Sequence, residues 1–168
     1  GERVHYDIPG GTCILGEEQL PGALTDWPVV EAGVWIEGAE QQTAWATVDA
    51  CLVQFGRIAT VQPPRPPLEI NGHIYSYVLN NLWSTNFAPW QSGHLLFRYR
   101  IQSGGVQDAR EFARFGQAAL HPLVAEVIPP HRPGVELEAA AQWVDVSGEG
   151  VVVESMVPAE AGGILLRL

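Results

Sequence analysis

Lysine is missing altogether. All nine basic side chains of the 168 residues are arginines, set against 19 aspartates and glutamates for a formal net charge of −10. Without a lysine amine there is no P-loop cation and no Schiff-base or pyridoxal chemistry. Nucleic acid is not expected as a partner, because phosphate neutralisation needs clustered cations. The only basic clusters are Arg98/Arg100 and Arg110/Arg114, which read as solvated faces of regular elements. Cysteine is nearly missing too. Cys13 and Cys51 do not make a metal-ligand spacing, and no disulfide is expected between them. Cys51 stands in Ala50-Cys51-Leu52-Val53, the setting of a small buried hydrophobe. No Asn-x-Ser/Thr sequon occurs, and no apolar run nears the roughly 20 residues that cross a bilayer. The start, Gly1-Glu2-Arg3-Val4, has no basic-then-apolar signal pattern. No membrane partner is expected, a cytoplasmic location is favoured, and the abrupt start suggests a piece of a larger protein.

What is present is core material. Hydrophobic residues make up 46% and charged residues 17%, which argues against a globally disordered chain. The length suits a single domain over residues 1–168. Glycine (18) and proline (13) are spread along the chain and punctuate short β-like runs, the pattern of an antiparallel β-sandwich. Val29 to Glu37 reads as a strand, followed by the turn Gly38-Ala39-Glu40. Thr43 to Asp49 and Leu52 to Thr60 read as the next two, the latter bent at Gly56. Pro63-Pro64-Arg65-Pro66-Pro67 then imposes an extended crossing.

The clearest alternation runs from Gly93 to Gln102. Leu95, Phe97, Tyr99 and Ile101 point one way, toward a core, and Leu96, Arg98, Arg100 and Gln102 the other. Glu69 to Asn80 is the expected partner strand. One helix is expected over Val106 to Leu120, with Ala109, Phe112, Ala113, Gly116 and Leu120 as its apolar stripe and Pro122 limiting it. Val135 to Val146, Val151 to Val157 and Ile164 to Leu168 read as three further strands.

Catalytic patterns are scarce. His5, His73, His94, His121 and His131 never fall in HxH, HxxH or HExxH spacing, and no Gly-x-Ser-x-Gly elbow occurs. The carboxylate pairs Glu17-Glu18 and Glu136/Glu138 read as solvated surface, though paired carboxylates are what glycoside hydrolysis requires. The exceptional stretch is Asn80-Asn81-Leu82-Trp83-Ser84-Thr85-Asn86-Phe87-Ala88-Pro89-Trp90. Indole rings cover the apolar C–H faces of sugars and amides meet their hydroxyls, so Asn80, Asn81, Trp83, Asn86 and Trp90, with Arg98 beyond them, are candidate carbohydrate contacts. Equally, the asparagines can hold the loop through its own backbone while the rings pack on a neighbouring domain.

With that stretch, Leu52-Val53-Gln54-Phe55-Gly56 before it, and Gln91-x-Gly93 and Phe97-Arg98-Tyr99-Arg100-Ile101 after it, the chain resembles the C-terminal region of bacterial glycoside hydrolase family 38 proteins. Those are zinc-dependent retaining α-mannosidases. Arg114-Phe115-Gly116, Pro122-Leu123 and the close from Val151 to Pro158 and from Gly162 to Leu168 fit as well. The likeness covers roughly residues 48 to 168 and departs at Met156-Val157-Pro158, where the family pattern puts a lysine before the proline. It implies a supersandwich similar to that of galactose mutarotase, packed on a catalytic domain of the same parent chain that supplies zinc and the nucleophile. No zinc or nucleophile motif of the family has a matching position here, so the resemblance implies no catalytic residue and no cofactor in this piece. Two rival readings remain, an autonomous carbohydrate-binding module and a stand-alone metalloenzyme using several of the five histidines.

Overall fold

Alternating side chains in the first 50 residues build most of a sheet. In the computed structural model, which describes residues 2–58, 68–79, 86, 88, 90–127, 142, 144–148, 151, 153 and 155–168, the chain is mostly β with antiparallel ladders and one short helix. Strands β1 (Arg3–Ile8), β2 (Gly11–Ile14), β3 (Gly33–Glu37), β4 (Gln42–Thr47), β5 (Val53–Phe55), β6 (Ile74–Ser76) and β7 (Tyr99–Ser103) precede helix α1 (Ala109–Leu120). Strands β8 (Ser155–Pro158) and β9 (Ile164–Arg167) follow it. Two compact units result, residues 1–121 and 122–168.

In the first unit a five-stranded sheet runs in the order β2-β1-β3-β4-β7, every neighbour antiparallel. Because side chains alternate, the register sorts them onto two faces. Val4, Tyr6, Val34 and Trp45 share one face, where Val53 and Phe55 of the β5–β6 ladder cover them and complete a core with Cys13, Leu15 and Val30. The ladder is tied to the sheet by Val30 N–H donating to Cys51 O at 2.8 Å and Val53 N–H to Pro28 O at 3.2 Å. His5, Trp35, Ala44 and Ala46 share the other face, and there Trp35, Ala44 and Ala46 meet Val106, Phe112, Phe115 and Ala119.

The helix forms where expected and starts with a cap. Asp108 accepts from Glu111 N–H at 2.8 Å, and the Glu111 carboxylate reaches back to accept from Gln107 N–H at 2.7 Å. Its buried side is Phe112, Phe115, Gly116 and Ala119, turned slightly from the anticipated stripe, with Ala109 exposed. Two alanines of β4 make room for that approach. At Gly116 the fit is tight, since a Cβ there would lie 2.9 Å from Ala32 Cβ. In the second unit β8 and β9 form a hairpin with Met156 opposite Leu166.

Several expectations change. The hairpin β1–β2 places Arg3–Ile8 and Gly11–Ile14 in the sheet, although Val4, Tyr6 and Ile8 alternating before Pro9-Gly10 already carried that signal. The run from Gly93 to Gln102 yields only the strand β7, all five residues of which are exposed. Its partner is β4 rather than residues 69–80, because β6 pairs with β5, which ends at Gly56 with φ +73°. β3 is shorter than foreseen, with Val29 contributing only an isolated bridge to Leu52. Cys13 is buried, but Cys51 is exposed, and both are free thiols. The proline segment 63–67 and most of the strand expected over 135–146 lie outside the described residues.

Gly116→Ala sets two effects against each other. Alanine favours a helix interior by about 1 kcal/mol, whereas forcing a methyl against the short, rigid Ala32 side chain costs about 1–3 kcal/mol. Net destabilisation of about 1 kcal/mol is expected from denaturant titration, and a more stable variant would contradict the close packing.

Candidate functional site

Of the residues singled out in the sequence, Asn80, Asn81 and Trp83 lie outside the described residues. Asn86 and Trp90, which lie between β6 and β7 in sequence, are exposed, Trp90 at 69% of its surface, and belong to no strand or helix. Arg98 stands directly before β7. Its Nε and Nη2 donate to Asp49 Oδ2 and Oδ1 at 3.0 and 2.8 Å, and its backbone N–H donates to Oδ2 at 2.8 Å. Val48 N–H donates to Arg98 O at 3.1 Å, so residue 98 is clasped to the end of β4 by backbone and side chain together. The Arg98 guanidinium hydrogen-bonded to Asp49 holds that carboxyl below the usual range. No hydrogen bond or ring contact joins Asn86, Trp90 and Arg98 to one another among the described residues. The clasp fixes where the loop rejoins the sheet.

Beside the clasp lies an aromatic pair that sequence reading missed. Trp45 and Tyr99 stack with ring centroids 5.3 Å apart, and Tyr99 Oη donates to Ser76 Oγ at 2.9 Å. The two rings come from strands far apart in sequence. Only the β4–β7 register brings them to one face, and no local spacing reveals it. On β6 and nearby, His73 with Tyr75 and Trp27 with Tyr77 make edge contacts. Tyr6, beneath these layers, has its phenol pushed up to about 12 by burial and by the Cys13 thiol, so it stays neutral.

A polar group closes the other face near the ends of β1 and β3. The His5 ring stacks on Trp35 at 4.3 Å, and its Nε2 meets Glu37 Oε2 at 3.0 Å. Arg3 Nε pairs with Glu17 Oε1 at 3.3 Å. Arg3, Glu37, Gly38 and Ala39 line an open cleft of about 280 Å³. A histidine oriented by a carboxylate is the form a general base takes. Among the described residues, however, His5 makes no hydrogen bond to a hydroxyl or thiol it could activate, and no group of three or more His, Cys, Asp or Glu converges to hold a metal ion.

Asp7 is a half-buried carboxylate on the same face. It accepts from Ala32 N–H at 2.6 Å and Gly33 N–H at 2.9 Å, and a Cβ on Gly116 of the helix would stand 3.9 Å from its Oδ2. Burial raises its pKa above the ordinary value, and the two N–H donors offset part of that rise. Its partners belong to the turn entering β3, so its role is to hold that turn beneath the helix.

No protein-family model, no curated protein and no solved structure matches the chain.

The raised Asp7 pKa sets a sign for pH dependence. Between the ordinary carboxyl value and the raised one, the folded chain holds a proton that the unfolded chain has released. Asp7's contribution to stability therefore falls as pH climbs through that window, and is flat above it. Asp49 acts in the opposite sense, since a depressed pKa adds stability that is lost as pH falls. The difference between wild type and Asp7→Asn isolates the first effect. Urea midpoints of the two proteins, measured from about pH 4 upward, should show the wild-type advantage shrinking with pH, and an advantage that grows with pH would contradict the assignment.

Proposed function

We propose that this chain is a non-catalytic accessory β region of a family-38-like glycosidase, which packs on the catalytic domain of its parent and borders the sugar site. The observation that carries the reading is the pair of large apolar side chains left exposed on the segment leading into β7. Trp90 and Leu96 are 69% and 77% exposed, just ahead of the point where Arg98 is clasped to Asp49. Exposed apolar side chains on a segment fixed in this way support contact with another protein element. The antiparallel, mostly β architecture with one short helix supports the reading, and the finer supersandwich likeness is part of the proposal. Zinc and the carboxylate nucleophile would then belong to the parent's catalytic domain.

A second reading draws on Trp90 itself. An exposed indole following the exposed Asn86, with the Trp45–Tyr99 stack near the end of the same loop, has the components of a carbohydrate-binding platform in an autonomous module.

Two measurements separate the readings. The accessory region should show no turnover of aryl mannosides, with or without added zinc, and metal-dependent hydrolysis would overturn it. Tryptophan fluorescence titrated with manno-oligosaccharides should stay flat for a packing surface. A saturable change abolished by Trp90→Ala would establish the module instead.

A further inference from the structure

The hydrogen-bond parity of β7 leaves one of its edges open. Val48 N–H donates to Arg98 O at 3.1 Å and Gly104 N–H to Gln42 O at 2.8 Å, on the same register that sets Trp45 opposite Ile101. In an antiparallel ladder the bonded positions alternate. Residues 98, 100, 102 and 104 therefore bond to β4, and the N–H and C=O groups of Tyr99, Ile101 and Ser103 point away from the sheet. β7 is the last strand in the order β2-β1-β3-β4-β7, so among the described residues nothing in that sheet pairs with them. The usual protections of an edge are sparse here. The strand has no proline, the chain has no lysine, the strand's one charge, Arg100, sits at a position bonded to β4, and the outward-bonding residue at its centre is an isoleucine exposed at 70%.

We infer that this edge pairs antiparallel with β7 of a second copy of the chain, joining the two sheets into one. The strand is complementary to itself. With Ile101 opposite Ile101 of the other copy, Tyr99 faces Ser103 and the odd-numbered residues bond to odd-numbered residues, giving about six inter-strand hydrogen bonds. Arg100 then stands opposite Gln102, so no like charges are directly paired. On the face shared with Trp45, the existing neighbours Trp45 and Ile101 extend across the junction into an unbroken apolar row of Trp45, Ile101, Ile101 and Trp45. Cross-strand apolar pairs of this kind stabilise a sheet, and a partner strand with charges at those positions would lose them.

An interface of one five-residue strand per copy is small, so the dimer is a weak one, with a dissociation constant on the order of 10–1000 μM. Sedimentation velocity up to about 1 mM protein should show a concentration-dependent shift from monomer to dimer. Ile101→Glu should weaken it by about tenfold or more, since a charge at the outward position opposes edge pairing. Ile101→Pro removes an N–H that β4 does not use, and should abolish dimerisation while circular dichroism shows the sheet retained. Amide exchange distinguishes this interface from any other. Residues 99, 101 and 103 should slow as concentration rises, whereas 100 and 102, already bonded to β4, should not change. A wild-type chain that stays monomeric throughout, or a dimer indifferent to folded Ile101→Glu and lacking concentration-dependent protection at 99, 101 and 103, overturns the inference.

Discussion

Burial of β3 on both faces is the constraint from which the rest of the first unit follows. Val34 and Trp35 are adjacent, point opposite ways, and are both almost completely buried. A strand apolar on both sides needs two coverings, and both come from within this unit. One is the β5–β6 ladder, brought against the Val34 side by backbone bonds to residues 28 and 30. The other is the helix, which lays Phe112 on Trp35 with ring centroids 6.3 Å apart. The alanines of β4 and Gly116 of the helix follow from the second covering, because the helix approaches only where side chains are small.

The same constraint explains the polar groups. Asp7 continues β1 into the space beside the helix, and there its carboxylate caps the backbone entering β3. Few other groups could satisfy two N–H donors at that depth, and leaving them unbonded would cost about 1–3 kcal/mol each. His5 fills the gap between Trp35 and Glu37 in a comparable way. These contacts are architectural in character. They hold the turn and the edges of β3, and among the described residues the imidazole hydrogen-bonds to Glu37. At the far edge the demands relax: Tyr99 reaches Trp45 and Ser76, but all five residues of β7 stay exposed.

Much of this was legible from residues alone. Alternation located β3 and β4, the apolar stripe through Phe112, Gly116 and Leu120 located the helix, and antiparallel β structure was clear from the turn punctuation. Alternation does not say which side of a strand is covered. The run Leu95 to Gln102 has the pattern of a half-buried strand, yet burial depends on how much of a layer reaches it, and here Tyr99 bonds to Ser76 of β6 while all five residues of β7 stay exposed. Partner choice was misread for the same reason. Residues 69–80 are near β7 in sequence, but β5 has the prior claim on β6 through the register of Val53 with Ser76. The candidate site was less legible still. Trp90 and Arg98 were found by residue type, whereas Asp49 and Tyr99, which fix where that loop ends, are joined to it only through the β4–β7 register.

The functional account treats the described residues as a folded support whose chemistry resides in another part of the same polypeptide. Its exposed Trp90 and Leu96 are then contacts to that part rather than members of a reaction centre. Intact-mass analysis and sequencing of the protein as its native cell produces it test this most directly. The account predicts a chain several times longer than these 168 residues, with a zinc-binding glycosidase domain ahead of Gly1 in the same polypeptide. A native protein consisting of this region by itself would contradict it.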